Sequence, residues 1–378
     1  MPWKETTTVS LRTEFIHLAE LDGANISQLC RLYGISRKTG YKWLKRHRED
    51  GESGLADRSR RPLHSPKCSP AEVEAAVVEV RQKHPAWGGR KIKAALERKG
   101  QDHLPSPSTI TQILRRNDQL EVEEAHKHRA YQHFEMEQPN QLWQMDFKGY
   151  FALEAGGYCH PLTVLDDHSR FLVGLRACPN ETHQTVQEQL SSIFRCYGLP
   201  ERMLMDNGSP WGDDRDSPHT ILTAWLIRLG VQIRHGRPYH PQTQGKDERL
   251  HRTLQDELLS RHCLASLADC QVHFDDWRES YNFERPHEAL EMQSPISRYQ
   301  PSSRAFPDIL PPILYEPSDI VRKVDATGRI YFRNRSFRVG KAFRHNPVAL
   351  RPTQADGQYD VIFCDQKVAQ ISLLEDNC

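Results

Sequence analysis

No stretch of the 378-residue sequence approaches the roughly 18 consecutive apolar residues that a membrane-spanning helix needs. An apolar h-region is also missing behind the early charges Lys4, Glu5, Arg12 and Glu14, which argues against a secretory signal and makes the cytoplasm the expected compartment. The nine cysteines include no Cys-x-x-Cys pair and are odd in number, so free thiols are expected rather than a disulfide scaffold or a zinc module. His126, His128 and His133 lie close together but match no zinc-ligand spacing. Nor is there an excess of one charge: 51 Lys and Arg against 50 Asp and Glu leave a net +1. That balance hides local asymmetry. The segment 37–67 is strongly basic, whereas 121–137 and 206–216 are rich in acids, and a locally basic face binds phosphates whatever the total.

What is present begins with helices. Apolar residues recur at helical spacing over 11–19, Ser27 is placed to cap a second helix ending at Tyr33-Gly34, and Ser36 with Thr39 opens a third. Helix, glycine turn and cationic helix form a helix-turn-helix pattern over 1–52. Its last helix would lay Arg37, Lys38, Thr39, Tyr41, Lys42 and Lys45 towards the major groove; a small bundle with a solvated charged face is the alternative. Residues 53–69 carry Gly, Pro and Ser where a helix tolerates none, so Arg58, Arg60 and Arg61 belong to an extended arm suited to a minor groove, or to a simple tether.

A second all-α unit over 70–120 follows, with helices expected at 71–83, from Trp87-Gly88-Gly89 to Arg98, and at 110–116 behind the capping pair Ser108-Thr109. It reads as another helix-turn-helix, with Arg90, Lys91, Ser108, Thr109, Gln112 and Arg115 as its DNA contacts. Two such units would read a longer double-stranded site than either alone. Residues 121–139 read as a solvated linker helix.

From Asn140 the texture becomes strand-like: 142–150, 159–165 and 171–178 are β-rich, with turns at Gly156-Gly157 and at 166–170. Helix 182–196, strand 202–205, helix 221–229, strand 231–235 and a charged helix behind Arg237–Gln244 follow. Asp146 and Asp206 each close a short apolar run, where a buried strand would end, and Glu248 stands in the first turn of the charged helix. Acids so far apart in sequence meet only by folding, as ligands of a hard cation do. Asp166 and Asp167 are rival acids better explained by turn chemistry, Asp213, Asp214 and Asp216 are weaker candidates, and Asp247 is expected to face away from Glu248. Gln244, Lys246, Arg249 and Arg252 would face nucleic acid near Glu248, although Lys246 and Arg249 are also readable as solvated helix charges. Behind the proline-rich connector 295–317, six short strands over 318–378 predict a small β-barrel. Arg329, Arg333, Arg335, Arg338, Lys341 and Arg344 make it basic, for DNA or for bracing an oligomer.

The blocks Trp143-Gln144-Met145-Asp146, Met205-Asp206-Asn207-Gly208-Ser209 and Tyr239-His240-Pro241-Gln242-Thr243-Gln244-Gly245-Lys246-Asp247-Glu248-Arg249 resemble those of the DDE transposase and retroviral integrase superfamily, and within it insertion-sequence transposases of the IS481 type, relatives of the IS3 group. The resemblance runs nearly end to end and implies a multidomain protein: tandem helix-turn-helix units, a central α/β ribonuclease H-like catalytic domain over 140–294, and the C-terminal module. It implies a transposase that binds the terminal inverted repeats of its element, nicks them and joins the 3′ ends to target DNA, working as a homodimer or larger synaptic assembly. Asp146 would bridge two Mg²⁺ ions, with Mn²⁺ as a substitute, while Asp206 and Glu248 each hold one. A DNA-binding regulator on a dead catalytic scaffold is the competing expectation. Neither a membrane nor a small-molecule substrate is implied.

Overall fold

The computed structural model describes residues 7–58, 69–120, 135–206, 208, 210–211, 219–235 and 245–374. The chain divides into two compact units, Met1–Cys68 and Ser69–Cys378, each described by itself.

In the first unit, α1 (Thr8–Ala19), α2 (Ile26–Leu32) and α3 (Arg37–Asp50) enclose Phe15, Ile16, Cys30, Trp43, Leu44 and Leu55. Asn25 caps α2, not Ser27: its side chain accepts from the Gln28 N–H, two residues earlier than the sequence pattern indicated. Ser36 caps α3 as expected. The arm expected from residue 53 begins later, because Gly51–Leu55 forms a 3-10 turn that buries Leu55 in the core. Arg58 pairs with Asp50, and Arg60 and Arg61 lie outside the described residues.

The second unit starts with α4 (Ala71–Lys83), α5 (Gly89–Arg98) and α6 (Pro107–Arg116), packed around Val77, Trp87, Ile92, Leu96, Ile110, Ile113 and Leu114. Ser106 caps α6 and Pro107 takes its first position, so Ser108 and Thr109 are first-turn residues rather than the cap. A Cβ on Gly89 would lie 2.3 Å from the Pro107 carbonyl oxygen and 2.8 Å from Thr111 Oγ1. Since the nearer atom is backbone, Gly89→Ala should cost about 1–3 kcal/mol. Hydrogen exchange across α4–α6 should speed up accordingly; unchanged protection would show that the helices need not be this close.

A mixed sheet follows: β1 (Trp143–Phe147), β2 (Phe151–Ala152), β3 (Tyr158–Asp166), β4 (Leu172–Cys178), β5 (Arg202–Met205) and β6 (Gln232–His235). β3 pairs antiparallel with β1, β2 and β4, whereas β5 runs parallel to both β1 and β6. α7 (His183–Tyr197) and α8 (Ile221–Arg228) cover one face over Trp143, Met145, Met203 and Met205. α9 (Gly245–Leu254) and α10 (Leu267–Glu279) cover the other over Leu165, Leu172 and Leu175. The linker expected at 121–139 lies outside the described residues up to 134; beyond that, 135–139 contains no helix.

The connector 295–317 opens with a 3-10 turn, Pro295–Arg298, and is then extended but packed down. Tyr299 stacks on Phe171 with ring centroids 4.0 Å apart, and the Arg304 guanidinium donates to the carbonyls of Pro200, Leu229 and Gly230. The expected closed barrel is not what forms. Among the described residues, β7 (Ile320–Lys323), β10 (Pro347–Pro352), β11 (Gln358–Phe363) and β12 (Gln366–Ser372) make one antiparallel sheet, while β8 (Arg329–Phe332) and β9 (Arg335–Arg338) make a separate hairpin. Hairpin and sheet share a core with Ala224 and Ile227 of α8, and the Gln366 side chain donates to the Val231 carbonyl. Apolar contact with α8 thus does the work that barrel closure would do.

Candidate active site

Strand register assembles the centre of the site. β1 and β5 pair in parallel as Trp143↔Met203 and Gln144↔Leu204, an offset that, continued two residues on, sets Asp146 beside Asp206. Side chains alternate along a strand. Because Trp143, Met145, Met203 and Met205 point into the α7/α8 core, both aspartates belong to the opposite face, the one covered by α9. Asp146 Oδ1 accepts from the Phe147 N–H at 2.8 Å, and Asp206 Oδ1 from the Gly208 N–H at 3.1 Å. Burial first, then the neighbouring Asp206, push the Asp146 carboxyl up to about 6. Burial likewise raises Asp206. No cation among the described residues pairs with either.

α9 is fixed against this pair by a relay through β3. His251 Nε2 lies 2.9 Å from Thr163 Oγ1, which donates to the Asp146 carbonyl at 3.0 Å, and burial holds the His251 imidazole neutral, down to about 4. The buried face of α9 comprises Asp247, Leu250 and Leu254. Asp247, expected to face away, is therefore the inward acid: it is 1% exposed, neither carboxylate oxygen has a hydrogen-bond partner among the described residues, and burial and Asp146 raise it well above the usual range. Glu248 stands exposed at the edge of the same turn, close enough that its charge helps raise Asp146. Among the described residues no three acid, histidine or cysteine side chains converge closely enough to enclose a metal.

Two features of the site were not legible in the sequence. Glu181, ahead of α7, contributes to raising both Asp146 and Asp206, and its carboxylate Oε1 lies 2.8 Å from His160 Nδ1. Asp167, set aside as a turn former, is fully buried and holds Lys246 of α9 at 2.5 Å; it also accepts from Gln144 Nε2 at 2.6 Å and the Met136 N–H at 2.8 Å. Asp166 does behave as turn chemistry requires, capping the Ser169 N–H at 2.8 Å.

The expected DNA contacts divide in the same way. Arg37, Lys38, Tyr41, Lys42 and Lys45 are exposed along α3, and Thr39 bonds back to Ser36 at 2.9 Å. Gln112 and Arg115 are exposed on α6, with Ser108 and Thr109 joined to Ser106. Lys91 instead meets Glu257 at 3.9 Å, where burial pushes its ammonium down to about 8, and Arg90 meets Glu288 at 3.4 Å. Lys83 holds Glu284 at 2.9 Å, so the α4–α5 side of this helical unit docks on the core while α6 stays open. Arg249 and Arg252 are exposed, Lys246 is not, and Gln244 lies outside the described residues together with Asp213, Asp214 and Asp216.

The integrase core domain family matches residues 136–241, and a second integrase core model matches 229–295. Residues 12–62 match a helix-turn-helix domain, 39–114 a homeodomain-like domain, and 319–378 the C-terminal domain of the IS481 family of transposases. Taken together, these matches make the chain similar to transposases of the IS481 type. An uncharacterized 31.7 kDa protein of insertion element IS407 from Burkholderia multivorans is 27% identical over 295 residues, 75% of this chain and 94% of the relative. The transposase for transposon Tn552 from Staphylococcus aureus is 24% identical over 328 residues, 75% of this chain and 65% of its own length. The catalytic core domain of BIV integrase is 23% identical, covering 42% of this chain and 92% of its own, with a TM-score of 0.32. Within the described residues, no helix is long and apolar enough to cross a membrane.

Proposed function

We propose that the protein is a DNA transposase that binds the terminal inverted repeats of an insertion sequence, nicks them to free 3′-hydroxyls and transfers those ends into target DNA. The observation that supports this most is the register of β1 and β5, which makes Asp146 and Asp206 neighbours on the face under α9. Two half-buried carboxylates side by side, with no cation paired to them among the described residues, repel each other unless a hard cation or a proton joins them. Their all-oxygen character fits Mg²⁺, with Glu248 supplied from α9. When bound, paired Mg²⁺ ions activate the attacking hydroxyl and stabilise the leaving oxygen of an in-line phosphoryl displacement.

The chain's own groups then have separate tasks. Asp146 and Asp206 hold the hard-cation site on rigid strands, and the Thr163–His251 relay sets the distance of α9 from Asp146. The exposed cations of α3 and α6 take the double-stranded ends by their phosphates and base edges. A nucleophile of the protein is not needed, and water or a DNA 3′-hydroxyl attacks directly. Two ends must be processed together, so a homodimer or larger assembly is the working form. A labelled duplex ending in the element's inverted repeat, incubated with Mg²⁺ or EDTA, tests this beside Glu248→Gln. Metal-dependent nicking at the repeat boundary that disappears in the variant is expected; tight binding without nicking in Mg²⁺ or Mn²⁺ would instead make the protein a DNA-binding regulator.

A further inference from the structure

Tyr150 and Tyr158 are large aromatics left 67% and 55% exposed, side by side, on a hairpin adjoining the acid site. Their rings meet edge to face with centroids 5.3 Å apart, and His160 supports Tyr150 from another side at 5.4 Å. Two such neighbours hold the Tyr150 ring in place without covering it.

The position of this ring is set independently by backbone and by side chains. Past Asp146, β1 ends at Phe147; the Lys148 N–H donates to the Pro161 carbonyl at 3.0 Å, and Gly149, at φ 88°, turns the chain so that Tyr150 emerges beyond the end of β1 that carries Asp146. From the other direction, His160 touches both Tyr150 and Glu181, and Glu181 senses both aspartates. Tyr150 also lines an open groove of about 330 Å³ together with Lys148, Pro161, Gln255 and His262. Lys148 Nζ bridges to Gln255 Oε1 at 2.7 Å, which joins the groove to the helical stretch just beyond α9.

We propose that Tyr150 is a stacking platform for an unpaired nucleobase of the DNA strand that enters the acid site. The inference rests on the transposase reading of that site and adds a contact it does not assign. A paired base presents its faces only to its neighbours in the duplex, so an open aromatic ring has nothing to gain from intact double helix. A frayed or overhanging base offers a free π-face, and stacking of this sort tolerates any sequence. The groove is large enough to take the base with its sugar, and Lys148 at its wall suits the backbone phosphate.

The test uses the full chain in EDTA, so that no cleavage intervenes, with two duplexes of the same sequence: one blunt, one with a short 3′ overhang carrying 2-aminopurine. Wild-type protein should quench the overhang base and bind the overhang duplex roughly tenfold more tightly than the blunt one. Tyr150→Ala should lose both the quench and that preference while binding blunt duplex as before, and Tyr150→Phe should keep both. Quenching that survives Tyr150→Ala, or a variant that weakens both duplexes equally, overturns the proposal. Glu248→Gln separates the two readings: it should quench like wild type while failing to nick in Mg²⁺. Quenching by a wild type that never nicks would leave the platform standing and overturn the transposase.

Discussion

Asp146→Asn should abolish nicking and, in metal-free buffer at neutral pH, make the protein more stable. Removing one carboxylate from the hard-cation site forfeits several kcal/mol of transition-state stabilisation, on the order of 10³-fold or more in rate at 1.36 kcal/mol per decade. The stability effect has the opposite sign because Asp146 is half-buried beside Asp206, Glu181 and Glu248 and is held at about 6 rather than 3.8. A raised carboxyl binds its proton more tightly folded than unfolded. Between about pH 4 and pH 6 the unfolded chain releases that proton first, so stability falls as pH rises and levels off above the folded value. The whole difference is roughly 3 kcal/mol, present as a penalty at pH 7 and absent below pH 4.

Thermal unfolding in EDTA at pH 4 and pH 7.5 checks both signs. The wild type should lose several degrees of Tm between these pH values, and Asp146→Asn should lose fewer, since Asp206 and Asp247 are raised in the same direction and continue to contribute. Adding Mg²⁺ at pH 7.5 should raise the wild-type Tm, as any ligand of the folded state does, and should leave the variant nearly unmoved. A variant that melts below wild type at pH 7.5 in EDTA would mean that the Asp146 carboxylate stabilises the fold, and the hard-cation reading of the pair would lose its electrostatic basis.

The strand-terminal aspartates were legible because a short apolar run closed by an acid is itself the signal: the run fills the core and the acid marks where it stops. Most helices were equally legible, and their errors fell on caps, where Asn25 and Ser106 each won a competition with a hydroxyl two residues away. The sequence could not say which face of α9 is buried. Successive residues differ by about 100° around a helix, which separates Asp247 from Glu248 without telling which one points inward; packing of Leu250 and Leu254 decides it. Asp167 was hidden for a related reason. Local turn chemistry accounts for Asp166 Oδ1, which caps Ser169, while the partner that gives Asp167 its role, Lys246, is 79 residues away. Lys91 likewise looked like a groove-reading cation until Glu257 was brought to it from the helical stretch just beyond α9.

That pairing of Lys246 with Asp167 leads to the second large effect. Lys246 sits in the first turn of α9, two residues before Glu248, and its Nζ reaches both the carboxylate and the carbonyl of Asp167, at 2.5 and 3.1 Å. Replacing it by methionine keeps the aliphatic stem and leaves a buried carboxylate with only the Gln144 and Met136 donors. Breaking a buried pair from one side costs about 3–5 kcal/mol, so Lys246→Met should lower Tm by roughly 10 °C. Nicking should fall with it, because the start of α9 loses the tie that fixes Glu248 over the strand-end acids. The double variant Lys246→Met with Asp167→Asn removes the stranded charge and should recover more than half of the lost stability, a coupling that a double-mutant cycle reads directly. Were Lys246 instead a phosphate contact, Lys246→Met would leave Tm alone, weaken binding to all duplexes alike and reduce the salt slope by about one. A salt series beside the melting curves therefore decides whether this lysine serves the DNA or the helix that carries Glu248.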